Sequence, residues 1–345
     1  MTTYYGRSNA FVFCRRDNTL HLGTLFSIFN LAMFAAVINA AFPVFALILT
    51  GWICTKTKLL GATSREGLNS FVIYLALPAQ LFAAMSTADL SELAQPGFYW
   101  SFALGMFGTA ALYALISRDK QTPPLDRLIN SMSSAYSNAG FMGIPLCLMV
   151  FGKAGLGPSV ITAVFTVSLL FAVTIMLAEL QRLESASVIP AIRKVLGSML
   201  RNPLLVAPIL GVLWSLLQWP MPVPAARYIG LLGDASTPCA LIAIGLFLGQ
   251  TTDRSASPDV IRIVLLKLLV QPALTAVLVL YVFDVPKLWA YVAILAAALP
   301  VGTGPFMMAQ IYQRDAAASA RAILVSTVLS VLTISALVAW ISQDL

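Results

Sequence analysis

Charge is what this chain has least of. Only 10% of its 345 residues are Asp, Glu, Lys or Arg, whereas soluble domains carry roughly 25%. So few charges cannot cover a water-exposed surface, which excludes a soluble globular domain. Histidine is nearly absent. The single His21 leaves no zinc-protease motif and no histidine base within the membrane. The four cysteines, Cys14, Cys54, Cys147 and Cys239, fall in no C-x-x-C spacing, so neither a metal site nor a structural disulfide is expected. Those in apolar segments read as small hydrophobes. No Walker A sequence occurs, which argues against ATP hydrolysis by this chain. The alternating ten-residue pattern of a membrane β-barrel is missing too. No nucleophile–base pair and no pair of acids stands inside an apolar run, so no enzyme and no cofactor is expected. The net charge of +7 is scattered over short loops without a basic patch, so nucleic acid is not an expected partner.

Apolar sequence is what the chain has in abundance: 59% of residues are hydrophobic and the mean hydropathy is +0.87. A helix needs about 20 such residues to cross a bilayer. Ten spans can be read, at about 34–54, 68–86, 98–117, 129–151, 158–179, 202–219, 228–249, 262–283, 288–311 and 319–341. The expected fold class is an all-α integral membrane protein. Loops after the odd-numbered spans hold fourteen Lys and Arg; those after spans 2, 4, 6 and 8 hold only Lys153, Arg227 and Lys287. Cytoplasmic loops carry the basic excess, so both termini are expected outside the cell membrane.

Residues 1–32 strain this scheme. They add Arg7, Arg15 and Arg16 to the outer side and lengthen the first apolar run to about 33 residues, too long for one span. The favoured reading is a misassigned start, with translation beginning at Met33; the alternative is a cleaved signal sequence.

The chain repeats itself at an offset of 160: Pro43, Pro78 and Pro145 match Pro203, Pro238 and Pro305, and Gly51 matches Gly211. Each half holds five spans, and five is odd, so the halves enter the membrane from opposite sides. This predicts an inverted repeat of residues 33–179 and 202–345, joined by a cytoplasmic linker at 180–201. The linker itself reads as a helix lying on the membrane surface.

Spans 4 and 9 are interrupted in matching places. The first break reads Ser137-Asn138-Ala139-Gly140-Phe141-Met142-Gly143-Ile144-Pro145, the second Ala298-Leu299-Pro300-Val301-Gly302-Thr303-Gly304-Pro305. Proline removes a helical hydrogen bond, and unpaired backbone persists in a membrane only around a protein-enclosed cavity. Paired breaks are the best sequence pointer to a transporter's binding site. Where a helix restarts, its unpaired N–H groups and positive dipole end favour anions. Asn138 and Thr303 can add hydrogen bonds, and Gly140, Gly143, Gly302 and Gly304 let the backbone approach a ligand. Gln80, beside the Pro78 bend, reads as lining the cavity or bonding between helices. Asp234 in span 7 is an intramembrane acid that could bind a coupling proton or cation, or sit hydrated near the surface. Lys267 in span 8 reads first as snorkelling to the interface, and more sharply as attracting an anion. Glu179 and Asp284 are expected at the interface.

These segments, with Tyr74-Leu75-Ala76-Leu77-Pro78-Ala79, resemble the auxin efflux carrier family, which includes plant carriers and bacterial malonate and malate permease-like proteins. The resemblance covers about residues 33–343. It implies a scaffold of helices 1, 2, 6 and 7, and a transport domain of helices 3–5 and 8–10. Helices 4 and 9 then cross at the substrate site, and an elevator-like motion gives alternating access. Asn138, Pro145, Pro300 and Pro305 fall on that crossover. The implied function is a secondary active or facilitated carrier of small organic anions. The alternatives are a sodium- or proton-coupled carrier of the bile-acid symporter type, and a membrane sensor that binds without transporting. The bilayer, a small anion, H+ or Na+ as coupling ion and a homodimer complete the expected partners.

Overall fold

The computed structural model describes residues 42–87, 94–117, 122–182, 192–193, 196–197, 200–250 and 257–344. The N-terminal extension and most of the linker lie outside them. Among the described residues the regular elements are helices, apart from one isolated β-bridge. In chain order they are α1 (Phe42–Lys56), α2 (62–86), α3 (Pro96–Ile116), α4 (Pro124–Ser133), α5 (139–151) and α6 (156–182). There follow α7 (Pro203–Leu217), α8 (Val223–Gly249), α9 (Pro258–Val282), α10 (Lys287–Ala298), α11 (Gly304–Ile311) and α12 (Ala317–Ile341).

Among the described residues, six helical runs are long and apolar enough to cross a membrane: α2, α3, the continuous run through α5 and α6, α8, α9 and α12. The run Ala139–Gln181 has 43 residues, about 65 Å at 1.5 Å per residue, twice the hydrocarbon thickness. It is divided at Gly152, whose φ of +62° is a left-handed value glycine reaches without steric cost. Helices α1, α7 and α10 are apolar but shorter. Expected span 4 corresponds to α4 with α5, and span 9 to α10 with α11.

Prolines shape three of the long helices. Pro78, Pro145 and Pro272 each directly follow the first residue after a widened, π-helical turn: Val72–Ala76, Ala139–Gly143 and Leu266–Val270. Proline has no N–H to give and its ring presses on the carbonyl four residues back. A wider turn relieves that clash and lets the helix continue.

Helix α10 is buried from Trp289 to Ala298 without interruption. A helix apolar on every side belongs inside a bundle, and α3, α6, α9 and α12 surround it. By contrast α7 leaves Ile209, Leu210, Leu213, Leu216 and Leu217 exposed, a face suited to lipid.

Glycines set the closest helix contacts. A Cβ on Gly245 of α8 would lie 2.0 Å from the Ile48 carbonyl oxygen of α1, and one on Gly51 would lie 2.2 Å from that of Ile242. Helices α2 and α7 meet in the same way, with a Cβ on Gly211 falling 2.7 Å from the Phe82 carbonyl oxygen and 2.8 Å from Met85 Cβ. Small residues let membrane helices approach backbone to backbone. Because the obstacle is backbone, overpacking here should cost at least the usual ~1–3 kcal/mol. Gly245→Val is therefore expected to yield no monodisperse protein in detergent and Gly245→Ala a clearly lowered melting temperature. Gly230→Ala, with open space around the new Cβ, is the neutral control.

Candidate functional site

Residues 134–138, between α4 and α5, and 299–303, between α10 and α11, are not helical. The two segments pass each other antiparallel. Ser137 and Val301 form the β-bridge. The Asn138 N–H donates to the Pro300 carbonyl at 2.9 Å, and the Gly302 N–H to the Tyr136 carbonyl at 2.9 Å. Val301 N–H donates to Ser326 Oγ at 3.0 Å. Backbone that leaves a helix inside a membrane must find such partners. The two bonds exchange under an offset of 164, pairing Tyr136 with Pro300 and Asn138 with Gly302. At the crossing, the expected match of Pro145 with Pro305 is thus one helical turn out of register. The positional mate of Pro145 is Ala309.

A cavity of about 380 Å³ opens at the crossing. Ser137, Asn138, Ala139, Gly140, Phe141, Thr303 and Gly304 line one side; Val167, Ser168, Phe171, Ala172 and Ile175 of α6 line another. Ile73 and Tyr74 of α2, residues 201–204, Tyr136, and Met307 and Ile311 of α11 also line it. Both α5 and α11 begin at this cavity, and the first N–H groups of a helix have no intrahelical acceptor. Their positive dipole ends reinforce one another there. The hydroxyls of Ser137 and Ser168 are buried without a hydrogen-bond partner among the described residues. Among the described residues Arg201 is the one charged residue lining the cavity, and it is exposed. The remaining wall is largely apolar, with Phe141, Phe171 and Ile175 prominent. Chemically, this arrangement can hold a small anion by backbone N–H, amide and hydroxyl groups and shelter an apolar body beside it.

Asn138, Gly140, Thr303 and Gly304 are therefore brought together, while Pro300 and Gly302 serve the crossing itself. The glycines divide by role. Gly140 has open space beside it, as expected of a ligand-facing glycine, whereas a Cβ on Gly304 would sit 2.2 Å from Tyr136 Cζ and one on Gly302 3.0 Å from the same ring. Gly143 is likewise filled, by Leu299 Cδ1 at 2.7 Å. These three make room for the other break rather than for a ligand. Pro145 and Pro305 lie within α5 and α11 and do not line the cavity. Gln80 also lies elsewhere: its Oε1 accepts from Ser236 Oγ at the contact of α2 with α8, the inter-helix alternative. Asp234 is exposed at the end of the first stretch of α8, before a turn at Ala235, and is not a lining residue.

Lys267 corrects the snorkelling expectation. Its side chain is fully buried and donates from Nζ to the Ala297 carbonyl at 2.6 Å. The residue faces α10, whose last carbonyls need a donor, so the amine turns inward. Glu179, expected at the interface, accepts from the Tyr312 hydroxyl at 2.6 Å. Nearby, Arg314 grips Asp126 through two bonds of 2.6 Å. Hydrogen bonding to Asp126, then its charge, raise the guanidinium further above its ordinary value.

Sequence reasoning missed Tyr136, Ser168, Phe171 and Arg201 as cavity residues. Ser168 carried a weak signal, one of several hydroxyls, with Thr162, Thr166 and Thr174, in an apolar run. The others carried none, because their roles depend on which helices the crossing touches.

The model of the family described as membrane transport protein matches residues 36–338. A protein of Rhizobium meliloti (strain 1021) named "Putative malonate transporter" is 27% identical over 311 residues, covering 88% of this chain and 95% of its own. An "Uncharacterized transporter" of Methanothermobacter thermautotrophicus is 25% identical over 306 residues, 88% of this chain and 97% of its own. "Auxin efflux carrier component 8" of Arabidopsis thaliana is 23% identical over 331 residues, 80% of this chain and 89% of its own.

Proposed function

This chain belongs to the membrane transport protein family, and from that premise we propose that it carries small organic anions, mono- or dicarboxylates such as malonate or malate, across the cell membrane by alternating access. The observation that carries the reading is the cavity. Two helix N-termini, the Asn138 amide, two serine hydroxyls unpartnered among the described residues and Arg201 converge on one space, and no carboxylate of the described residues lines it. Helix N-termini bind carboxylates readily. A volume of about 380 Å³ falls at the lower end of small-molecule sites. The name of the Rhizobium relative points to the same chemistry.

The proposed architecture is ten spans in two inverted five-span halves, 33–179 and 202–345, with both termini outside. Several contacts support it. Gly51 against Ile242 and Gly245 becomes, at the offset of 160, Gly211 against Phe82 and Met85, and both contacts exist. A crevice of about 520 Å³ between α1 and α12 is lined by Phe45, Ile48, Leu49 and Trp52. Another, of about 290 Å³ between α7 and α6, is lined by the corresponding Leu205, Pro208, Ile209 and Val212. On the opposing walls Leu324 and Val328 correspond to Val160 and Val164 at the offset of 164. These crevices separate α1, α2, α7 and α8, the proposed scaffold, from the helices that hold the crossing, the proposed moving group.

Purified protein in proteoliposomes tests the reading. Concentration jumps of malonate, malate, smaller monocarboxylates and indole-acetate on a solid-supported membrane should give a saturable current for at least one anion, or isotope exchange where transport is electroneutral. Neither signal, with a control carrier active under the same reconstitution, would overturn carriage and leave ligand binding without flux. Arg201→Gln should raise the half-saturating anion concentration several-fold with little change in maximal rate. An exposed charge at a cavity mouth acts mainly by attraction, and high salt should shrink the difference.

A further inference from the structure

One lysine amine lies deep in the protein and outside the cavity. Lys267 of α9 is 0% exposed and forms no ion pair among the described residues. Its amine meets the carbonyl of Ala297, the penultimate residue of α10. One turn along α9, Gln271 is also 0% exposed, and its Nε2 donates to the carbonyl of Ala135 at 3.1 Å, just beyond the end of α4. One face of α9 thus supplies a donor to each helix end that leads into the crossing. Gln271 Oε1 and, a further turn on, Thr275 Oγ1 are buried without partners.

The carbonyl ends of helices carry negative partial charge. In carriers built on interrupted helices, such ends are where Na+ or H+ is held. Here a covalently attached amine stands at that position, bonded to the Ala297 carbonyl. The proposed repeat does not duplicate it: at the offset of 164, Lys267 and Gln271 correspond to Ala103 and Phe107 of α3.

We propose that Lys267 is a tethered cation: its ammonium takes the place of a bound monovalent metal ion at the carbonyl end of α10, so that the anion site works without a co-transported cation. The inference rests on the anion-carrier reading and deepens it, by naming Lys267 as the positioning residue that substitutes for a coupling ion.

The test uses the full chain in proteoliposomes. Wild-type flux should be unchanged when Na+ and K+ are both replaced by N-methyl-D-glucamine. Lys267→Ala should lose at least tenfold in flux and regain it with millimolar n-propylammonium, the fragment removed, or with Na+, but not with neutral 1-propanol. A second readout needs no transport. Propylammonium or Na+ should raise the melting temperature of Lys267→Ala and leave that of the wild type unmoved, since a ligand bound only by the folded state stabilises it. Wild-type flux that requires Na+ or K+ would overturn the proposal. So would a Lys267→Ala variant that neither cation stabilises. Should Lys267→Ala fail to give monodisperse protein, Lys267→Met decides. Full flux there overturns the idea, while lost flux with a melting temperature within a few degrees of wild type supports it. If no anion is carried by the wild type, the function reading fails, and the melting measurements still judge the cation site separately.

Discussion

Asn138→Ala should lower anion flux by between ten- and about a hundredfold, with a melting temperature close to wild type. The backbone N–H and carbonyl of residue 138 make the bonds that hold the crossing, and alanine keeps both. Only the side-chain amide, which lines the cavity, is lost. A hydrogen bond to a charged group contributes about 1.5–3 kcal/mol, which sets the expected range at roughly tenfold per 1.4 kcal/mol. Asn138→Asp separates shape from charge: it is nearly isosteric, but its carboxylate would repel an anion, so its flux should fall below that of the alanine variant. Initial rates of isotope uptake, with monodispersity checked in detergent, measure both. If both variants transport at the wild-type rate, the anion does not sit at the crossing.

Gly304→Ala should damage the protein as a whole. The new methyl would lie 2.2 Å from Tyr136 Cζ, 2.5 Å from Cε2 and 2.6 Å from Oη. The ring also packs against Gly302, where a Cβ would lie 3.0 Å from it, and it borders the cavity. Either the ring fills the anion's place or the crossing opens. Flux should fall more than tenfold, and overpacking of this kind typically costs about 1–3 kcal/mol. Removing the obstacle should reverse it: Tyr136→Ala with Gly304→Ala should melt higher than Gly304→Ala alone, a coupling a double-mutant cycle reads directly. If the two changes add independently in thermal melts, the ring is not what Gly304 accommodates.

Much of this was legible in the sequence because membranes impose strong rules. Apolar runs longer than a bilayer is thick mark helices, and glycine and proline inside them mark interruptions. The segment around Asn138 and Gly140 could therefore be assigned to a cavity. Register could not. Pro145 and Pro305 align at the offset that fits Gly51 and Gly211, yet the bonds at the crossing obey one four residues longer. A one-turn difference leaves both prolines on an interrupted span, so no periodicity exposes it. The glycines were legible as close approaches but not as approaches to what: a tyrosine ring from the other break looks the same in one dimension as a ligand. Lys267 was misread for a related reason. Its nearness to a span end suggested an escape to water, whereas the partner that keeps it inside, Ala297, lies 30 residues away in sequence.

The paired N–H···O=C bonds between residues 136–138 and 300–302 also act as a rivet. In an apolar medium an amide hydrogen bond is worth about 4–6 kcal/mol, against about 1 kcal/mol where water can replace it. Pulling the two segments apart inside the membrane would forfeit roughly twice the larger figure, slowing any such step by on the order of a millionfold or more. The proposed site, fastened in this way, would not release an anion by unbuttoning at its centre. The proposed alternating access would then leave the rivet closed and carry the surrounding helices past it as a body, with the compliant parts at the rim of the riveted group.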